Sequence, residues 1–274
     1  MHGLMIAGTG ADSGKSCYSI GLLRGWRDLG IRVQPFKAVT VVDLHDPSCP
    51  HPGVWQRGVY HHCFAADRDW AWWHNPVTVL PSADGATGEL LVKTVHIGQV
   101  RLRPGDHVLF EELPDRLFTA CRQAIVEAIE VLTAGTDVVI VEGAGSFHQH
   151  HPQTDLVNRL PAVSFGLPVV LVVKGADDTT ASRITACVRG SAQAAGALRG
   201  FAINGVTDPV GLPAITEQAQ RMSGLDCLGW TPQVRYPDYD GSLRAQQERY
   251  RVWADALTAG TSLMSLDVAQ PMGS

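Results

Sequence analysis

A doubly wound, mostly parallel α/β fold is what this sequence predicts, and three observations predict it. Apolar, β-branched segments recur along the chain and are hydrophobic throughout rather than at every second residue, which is the pattern of strands buried on both faces. Stretches of helical periodicity lie between them, so strand and helix alternate as they do around a parallel sheet. The first apolar run also leads through a glycine-rich turn into a helical pattern, a junction that such sheets place at their carboxyl edge.

Taken in order, "GLMIA" (3 to 7), "IRVQPF" (31 to 36), "DVVIVEG" (137 to 143), "LPVVLVV" (167 to 173), "GFAINGV" (200 to 206) and "DCLGW" (226 to 230) read as strands. Helices are expected over 14 to 29, 112 to 134, 178 to 196 and 213 to 223. The segment 38 to 110, rich in His, Trp, Pro and Asp, reads as an irregular insertion beside the sheet that shapes a site. Residues 1 to 258 are expected to form one domain, and the stretch from 259 to 274 reads as a loose tail. There is no internal repeat and no low-complexity segment.

Composition narrows the function classes. The chain has 274 residues, 45% of them hydrophobic, and a net charge of −5, enough for one α/β core. No basic stripe argues for nucleic acid and no polybasic segment for a membrane surface. With no charged leader ahead of an apolar core and no run long enough to span a bilayer, a cytoplasmic location is expected. Six cysteines, at 17, 49, 63, 121, 187 and 227, are scattered without a C-x-x-C pair, which fits reduced, mostly buried thiols.

The chemistry starts at "GTGADSGKS", residues 8 to 16. It fits G-x-x-x-x-x-G-K-[ST], one residue longer between its glycines than the simplest Walker A pattern, so this is a P-loop variant. Backbone N–H groups of Gly10, Ala11, Asp12, Ser13, Gly14, Lys15, Ser16 and Cys17 would surround phosphate oxygens. The helix dipole would favour their charge, Lys15 would neutralise the β and γ oxygens, and Ser16 can reach Mg²⁺. A second feature, "VVIVEGAGS" (138 to 146), ends an apolar strand with Glu142 and places a carboxylate at the same sheet edge. Lys37, in "QPFKAV", falls at that edge too.

Together these features resemble the synthetase family that contains dethiobiotin synthetase and the amidating domains of cobyric acid synthase and cobyrinic acid a,c-diamide synthase. The variant phosphate loop, "PFK" and "VEGAGS" carry the resemblance most strongly. "NPVTVLPSADGATGELLVKTVHIG" (75 to 98) is similar to the cobyric acid synthase segment that begins Asn-Pro and passes through a polar turn into a β-rich stretch. "TDLVNRLPAVSFGLPVVLVV" (154 to 173), "GFAIN", "LGWTP" and "DYDGSL" (238 to 243) also resemble elements of that branch.

The resemblance implies a P-loop NTPase-like fold and an ATP- and Mg²⁺-dependent ligase. Such an enzyme phosphorylates a carboxylate, or a carbamate, of a small molecule, and a nitrogen then displaces phosphate to leave an amide or a cyclic urea. It implies catalytic roles for Lys15, Lys37 and Glu142 and a Mg²⁺ site at Ser16, Glu142 and, by a shift of its loop, Asp43. It further implies adenine recognition by Asn204, substrate contacts from Asn75, Gly145 and Ser146, and a homodimer. Two departures stand out. The carboxylate that cobyric acid synthases carry ahead of Asn-Pro aligns with Val54, and the loop after "EGAGS" is replaced by "FHQHHPQ", which points to a different substrate. With no glutaminase domain in this sequence, the nitrogen is expected as ammonia from a separate glutaminase subunit, as free ammonia or as an amine used directly, or else the reaction is a carboxylation and ring closure.

Other candidates read as structure. His148, His150 and His151 are spaced too tightly to suggest a metal site, and His61 and His62 read as positions on a partly buried helix. Trp70, Trp72 and Trp73 read as packing, as does Cys17. Lys174 is a second-rank site residue, and Asp177 and Asp178 read as the start of the next helix. The competing function is a partner-regulated ATPase of the ParA and MinD type, which carries a second lysine in Lys-Gly-Gly where this chain has Gly8, Thr9 and Gly10.

Overall fold

A computed structural model describes residues 3–42, 57–103, 107–134, 136–164, 166–191, 196–234 and 242–265. Six strands build the main sheet: β1 (Gly3–Gly8), β2 (Val33–Phe36), β8 (Val138–Glu142), β9 (Val169–Lys174), β10 (Leu198–Val206) and β11 (Cys227–Pro232). They lie in the order β11-β10-β9-β1-β8-β2, every pair parallel. The chain passes from β1 to the edge strand β2, returns with β8 between them and then winds outward through β9, β10 and β11 on the other side of β1, so the crevice of a doubly wound sheet opens at the carboxyl end of β1. Pro35 is tolerated because β2 is an edge strand, whose outer side needs no donor.

Residues on each strand divide between two cores as the pleat requires. Leu4 and Ile6 of β1, with Val138, Ile140, Val170 and Val172, pack beneath α1 (Lys15–Asp28) and α7 (Leu243–Gly260). Met5, Ala7, Val139, Val141, Val169 and Leu171 pack against α3 (Asp115–Thr133) and α5 (Thr180–Gly190). α4 (Arg159–Ser164) and α6 (Leu212–Ser223) complete that second layer. Burial of strands on both faces is what their unbroken hydrophobicity anticipates.

The described parts of the segment expected to be irregular are built of regular elements. It holds β3 (Val39–Val41), α2 (Arg57–Ala65), β4 (Val77–Pro81), β5 (Thr87–Val92), β6 (Val95–Arg103) and β7 (His107–Val108). The strands form a second sheet, β3-β4-β5-β6-β7, parallel between β3 and β4 and antiparallel beyond. Val77, Val79, Leu90, Val100 and Leu102 point inward and join the core that α3 fills.

Asn75 is corrected by this architecture. Its Nδ2 donates to Lys37 O (2.7 Å), Thr40 Oγ1 (3.2 Å) and Val77 O (3.2 Å), and its Oδ1 accepts from Thr78 Oγ1 (3.1 Å). A side chain so engaged ties the end of β2 to the second sheet and does not reach out to substrate. His74 beside it is pushed down to about 4 by burial, with Arg68 contributing. The neutral ring meets Gln34 Oε1 at 3.0 Å and accepts from Ala71 N at 3.1 Å.

α7 went unread in the sequence. Ser242 caps it, accepting from Ala245 N at 3.1 Å, a strong local stop on the preceding chain. The turn that follows is held through residue 265: Ser262 N donates to Leu228 O (2.8 Å) and Trp26 Nε1 to Met264 O (3.2 Å). Residues 259–265, expected as part of a loose tail, are thus held in place, and 266–274 lie outside the described residues, as do Asp43, Val54 and most of "DYDGSL". Among the described residues no helix is long and apolar enough to cross a membrane.

Candidate phosphate-binding and acceptor site

β1 ends at Gly8 and α1 begins at Lys15, so the glycine-rich loop occupies the strand-to-helix junction anticipated for it. Gly14 sits at φ +95°, and a Cβ there would fall 2.0 Å from Asn204 Nδ2. Backbone conformation and close approach both demand glycine at this position. The first turn of α1 carries no acidic residue, which leaves its N-terminal N–H groups and positive dipole end suited to an anion.

Lys15 folds back over the loop, donating to Gly10 O (2.8 Å), Ala11 O (3.1 Å) and Gly145 O (3.0 Å). Only 5% of it is exposed. Burial lowers its pKa to about 8, partly countered by Glu142 and reinforced by Lys37. An anion placed beside it would restore the ordinary, higher value. Were protonated Lys15 to bind nucleotide phosphates, affinity would be full well below pH 8 and would fall as pH rises through it. Calorimetric Kd for ADP is expected to weaken about tenfold between pH 7 and pH 9; a flat profile would remove Lys15 as the titrating group.

Glu142 is the hub of the floor. At the carboxyl end of β8, its Oε1 accepts from Ser16 Oγ (3.1 Å) and Lys37 Nζ (2.8 Å). Its Oε2 lies 2.8 Å from His62 Nε2 of α2. Burial opposes its ionisation, but the electrostatic pull of Lys37 and His62, with the hydrogen bond from Lys37, prevails and holds the carboxyl well below the usual range. Lys15, Ser16, Lys37 and Glu142 thus come together as the sequence reading proposed, and His62, read there as a packing position, joins them.

The strand-following loop is pinned by a residue the sequence reading did not single out. Asn158 Oδ1 accepts from Ala144 N (3.1 Å) while its Nδ2 donates to Ala144 O (2.9 Å) and Ser146 O (3.4 Å). A Cβ on Gly143 would fall 2.3 Å from Asn158 Oδ1, which explains the glycine after Glu142. Asp155 sets up this clamp by accepting from Val157 N (2.9 Å) and Asn158 N (2.7 Å).

Above the floor lies a cavity of about 240 Å³. Lys15, Ser16, Lys37 and Glu142 line its base, and Val39, Thr40 and Val41 of β3, with Val108, Phe110, Val157 and His150, form its walls. The second sheet therefore builds one side of the site. Ala11 and Gly145 line the cavity, and Asp12 is exposed at the loop's rim.

Other predicted residues fall elsewhere. Ser146 turns its hydroxyl away, to His148 Nδ1 (2.8 Å) and Cys187 Sγ (3.4 Å), so the structure gives it no place on the cavity wall. Ser13 is buried and Cys17 half-buried. Asn204 braces the loop from behind, donating to Ser13 O (3.2 Å) and accepting from Thr231 Oγ1 (3.1 Å). Lys174 is exposed at the end of β9. Asp177 turns back on Thr179 N (2.9 Å) ahead of α5. Trp72 and Trp73 pair edge to face at 5.9 Å and pack on the core. Among the described residues no group of three or more His, Cys, Asp or Glu could hold a metal ion.

A family model described as an AAA domain matches residues 109–237, just under half of the chain. Cobyric acid synthase of Rhodococcus jostii is 31% identical over 242 residues, 84% of this chain and 43% of that protein. Cobyric acid synthase of Rhizobium etli is 31% identical over 170 residues, 62% of this chain and 33% of that protein. Among solved structures, the MinD cell division protein of Aquifex aeolicus superposes with a TM-score of 0.49 at 10% identity, covering 94% of this chain and 97% of that one. The septum site-determining protein MinD complexed with Mg-ADP from Pyrococcus horikoshii gives 0.47 at 13%, covering 93% and 92%. Superpositions this distant carry no functional weight. The chain spans about a third to two fifths of the length of the curated relatives it matches. By topology, loop and sequence it has a P-loop NTPase-like α/β fold and is related to cobyric acid synthases.

Proposed function

We propose that this protein is an ATP- and Mg²⁺-dependent ligase that phosphorylates the carboxylate of a small molecule and joins the activated carbon to nitrogen. One observation carries the reading: Lys15, Ser16, Lys37 and Glu142 converge on the base of a cavity whose far wall belongs to a separate sheet. A phosphate loop alone would serve a switch as well. A second cation facing a walled acceptor chamber is what transfer to a bound molecule requires.

In the proposed reaction a carboxylate oxygen attacks the γ-phosphorus and the bond to the β–γ bridging oxygen breaks, releasing ADP. The nitrogen then adds to the acyl carbon, inorganic phosphate leaves and the nitrogen loses a proton. A carbamate in place of the carboxylate would give a cyclic urea by the same steps. Lys15 neutralises the nucleotide's phosphates, and Lys37 offsets charge on the acceptor and the transferring group. The Ser16 hydroxyl and Glu142 Oε1, 3.1 Å apart, are the oxygen groups of this chain that would hold a Mg²⁺. That ion would supply neutralisation of charge on the β and γ oxygens. Asn204 retains one amide hydrogen and one lone pair for an adenine edge.

The test is ADP release from ATP and Mg²⁺ against candidate acceptors: 7,8-diaminopelargonic acid with bicarbonate, a corrinoid carboxylic acid with ammonia or glutamine, and simpler acids with amines. Stimulation by one carboxylic acid is the expected result. Stimulation only by DNA, lipid or a protein partner would replace the ligase with a regulated ATPase.

A further inference from the structure

We propose that His62 is a positioning residue of this site, holding one oxygen of Glu142 so that the other is turned toward Ser16 and Lys37. The kinetic arm of its test rests on the ligase reading, whereas the binding arm requires only that the site takes Mg²⁺ with a nucleotide.

The two oxygens of Glu142 are treated differently. Oε1 takes both hydrogen bonds from the loop side, from Ser16 and Lys37, while Oε2 faces His62 Nε2. Both Glu142 and His62 are almost fully buried, at 1% and 3% exposure, so water does not stand in for a missing partner. A carboxylate at a strand end turns easily about its last torsion, which is broad. Contacts from α1, β2's end and α2 remove that freedom.

His62 is itself held from several sides. Val59, Cys63 and Ala65 bury the same helix, Tyr60 stacks on Phe64, and Phe64 meets Tyr250 of α7 edge to face at 6.1 Å. His61 Nδ1 reaches Tyr250 and Gln246 of α7. A helix anchored in this way presents the imidazole in one place, which is what an orienting partner of a ligating carboxylate needs.

The experiment compares wild type, His62→Leu and His62→Gln. Leucine keeps most of the volume without a donor, and glutamine returns an N–H near the Nε2 position. ADP affinity is measured by calorimetry in EDTA and in Mg²⁺, and kcat and KM for ATP in the acceptor-stimulated assay. For His62→Leu the affinity gained on adding Mg²⁺ is expected to shrink about tenfold or more, with Mg²⁺-free affinity within about twofold of wild type. Its kcat is expected to fall about 10- to 100-fold with KM nearly unchanged, and His62→Gln to recover most of both. An undiminished Mg²⁺ increment, equal losses with and without Mg²⁺, no Mg²⁺ increment in wild type, or no recovery by glutamine would each overturn the proposal. Should His62→Leu fail to fold, His62→Asn, whose amide falls short of Oε2, is expected to show the same losses. If no acceptor stimulates wild type, the ligase reading fails and the calorimetry alone decides the role of His62.

Discussion

Lys15→Ala is expected to lower acceptor-stimulated ADP formation by at least about 10³, or ~4 kcal/mol of barrier. The effect is large because the lysine is aimed where nucleotide charge accumulates: its ammonium is held by three carbonyls, Gly10 O, Ala11 O and Gly145 O, at the base of the cavity. It is also desolvated, as its pKa of about 8 records, and a desolvated charge acts strongly on a nearby anion. Stability should change little. Removing the side chain forfeits three hydrogen bonds but also relieves the burial of a cation, and the two contributions oppose. A steady-state assay beside a thermal melt checks both points. Near-normal turnover in a folded variant would sink the phosphate-loop argument.

Lys37→Met is the second large effect. The expected loss in kcat is about 10²- to 10³-fold, with the Kd for ADP within about threefold, because this charge serves the acceptor and the transferring group more than the nucleotide. The substitution has a structural side that must be separated. It breaks the 2.8 Å pair with a buried carboxylate, and removing one partner of such a pair costs about 3 to 5 kcal/mol. The double variant Lys37→Met, Glu142→Gln removes the stranded charge and is expected to regain much of the melting temperature, which measures the structural part; the kinetic part is read from Lys37→Met alone, assayed at a temperature where it is fully folded. If folded Lys37→Met kept a near-normal kcat, Lys37 would be a structural residue. If Lys37→Met changed only the affinity for nucleotide, its assignment to the transferring group would be wrong.

Much of the site was legible in the sequence because its parts are local. The phosphate loop needs glycines, a lysine and a hydroxyl within a few residues of each other. Glu142 is marked by an apolar strand that ends in a carboxylate and glycines, and Lys37 by the strand before it. Asn75 was misread for the complementary reason. Its amide looks like a ligand-binding group in a motif, but Lys37 O, Thr40, Val77 and Thr78 take up its hydrogen bonds, and nothing local shows that those groups converge on it. Ser146 was misread in the same way, since its partners are His148 and the distant Cys187. His62 was passed over because a histidine on a helical face carries no sign of the carboxylate 80 positions away that it meets.

The alternation of apolar strands and helices was enough to determine the parallel sheet, and the junction after β1 enough to place a phosphate loop at its crevice. Both follow from backbone periodicity and from the short-range demands of a tight turn. Only the tertiary structure decided that the segment after β2 becomes a second sheet roofing the cavity, and that Lys15, Lys37, His62 and Glu142 share one floor. These outcomes depend on strand register and helix packing between residues far apart in the chain, where burial of apolar faces, not local propensity, selects which side chains meet.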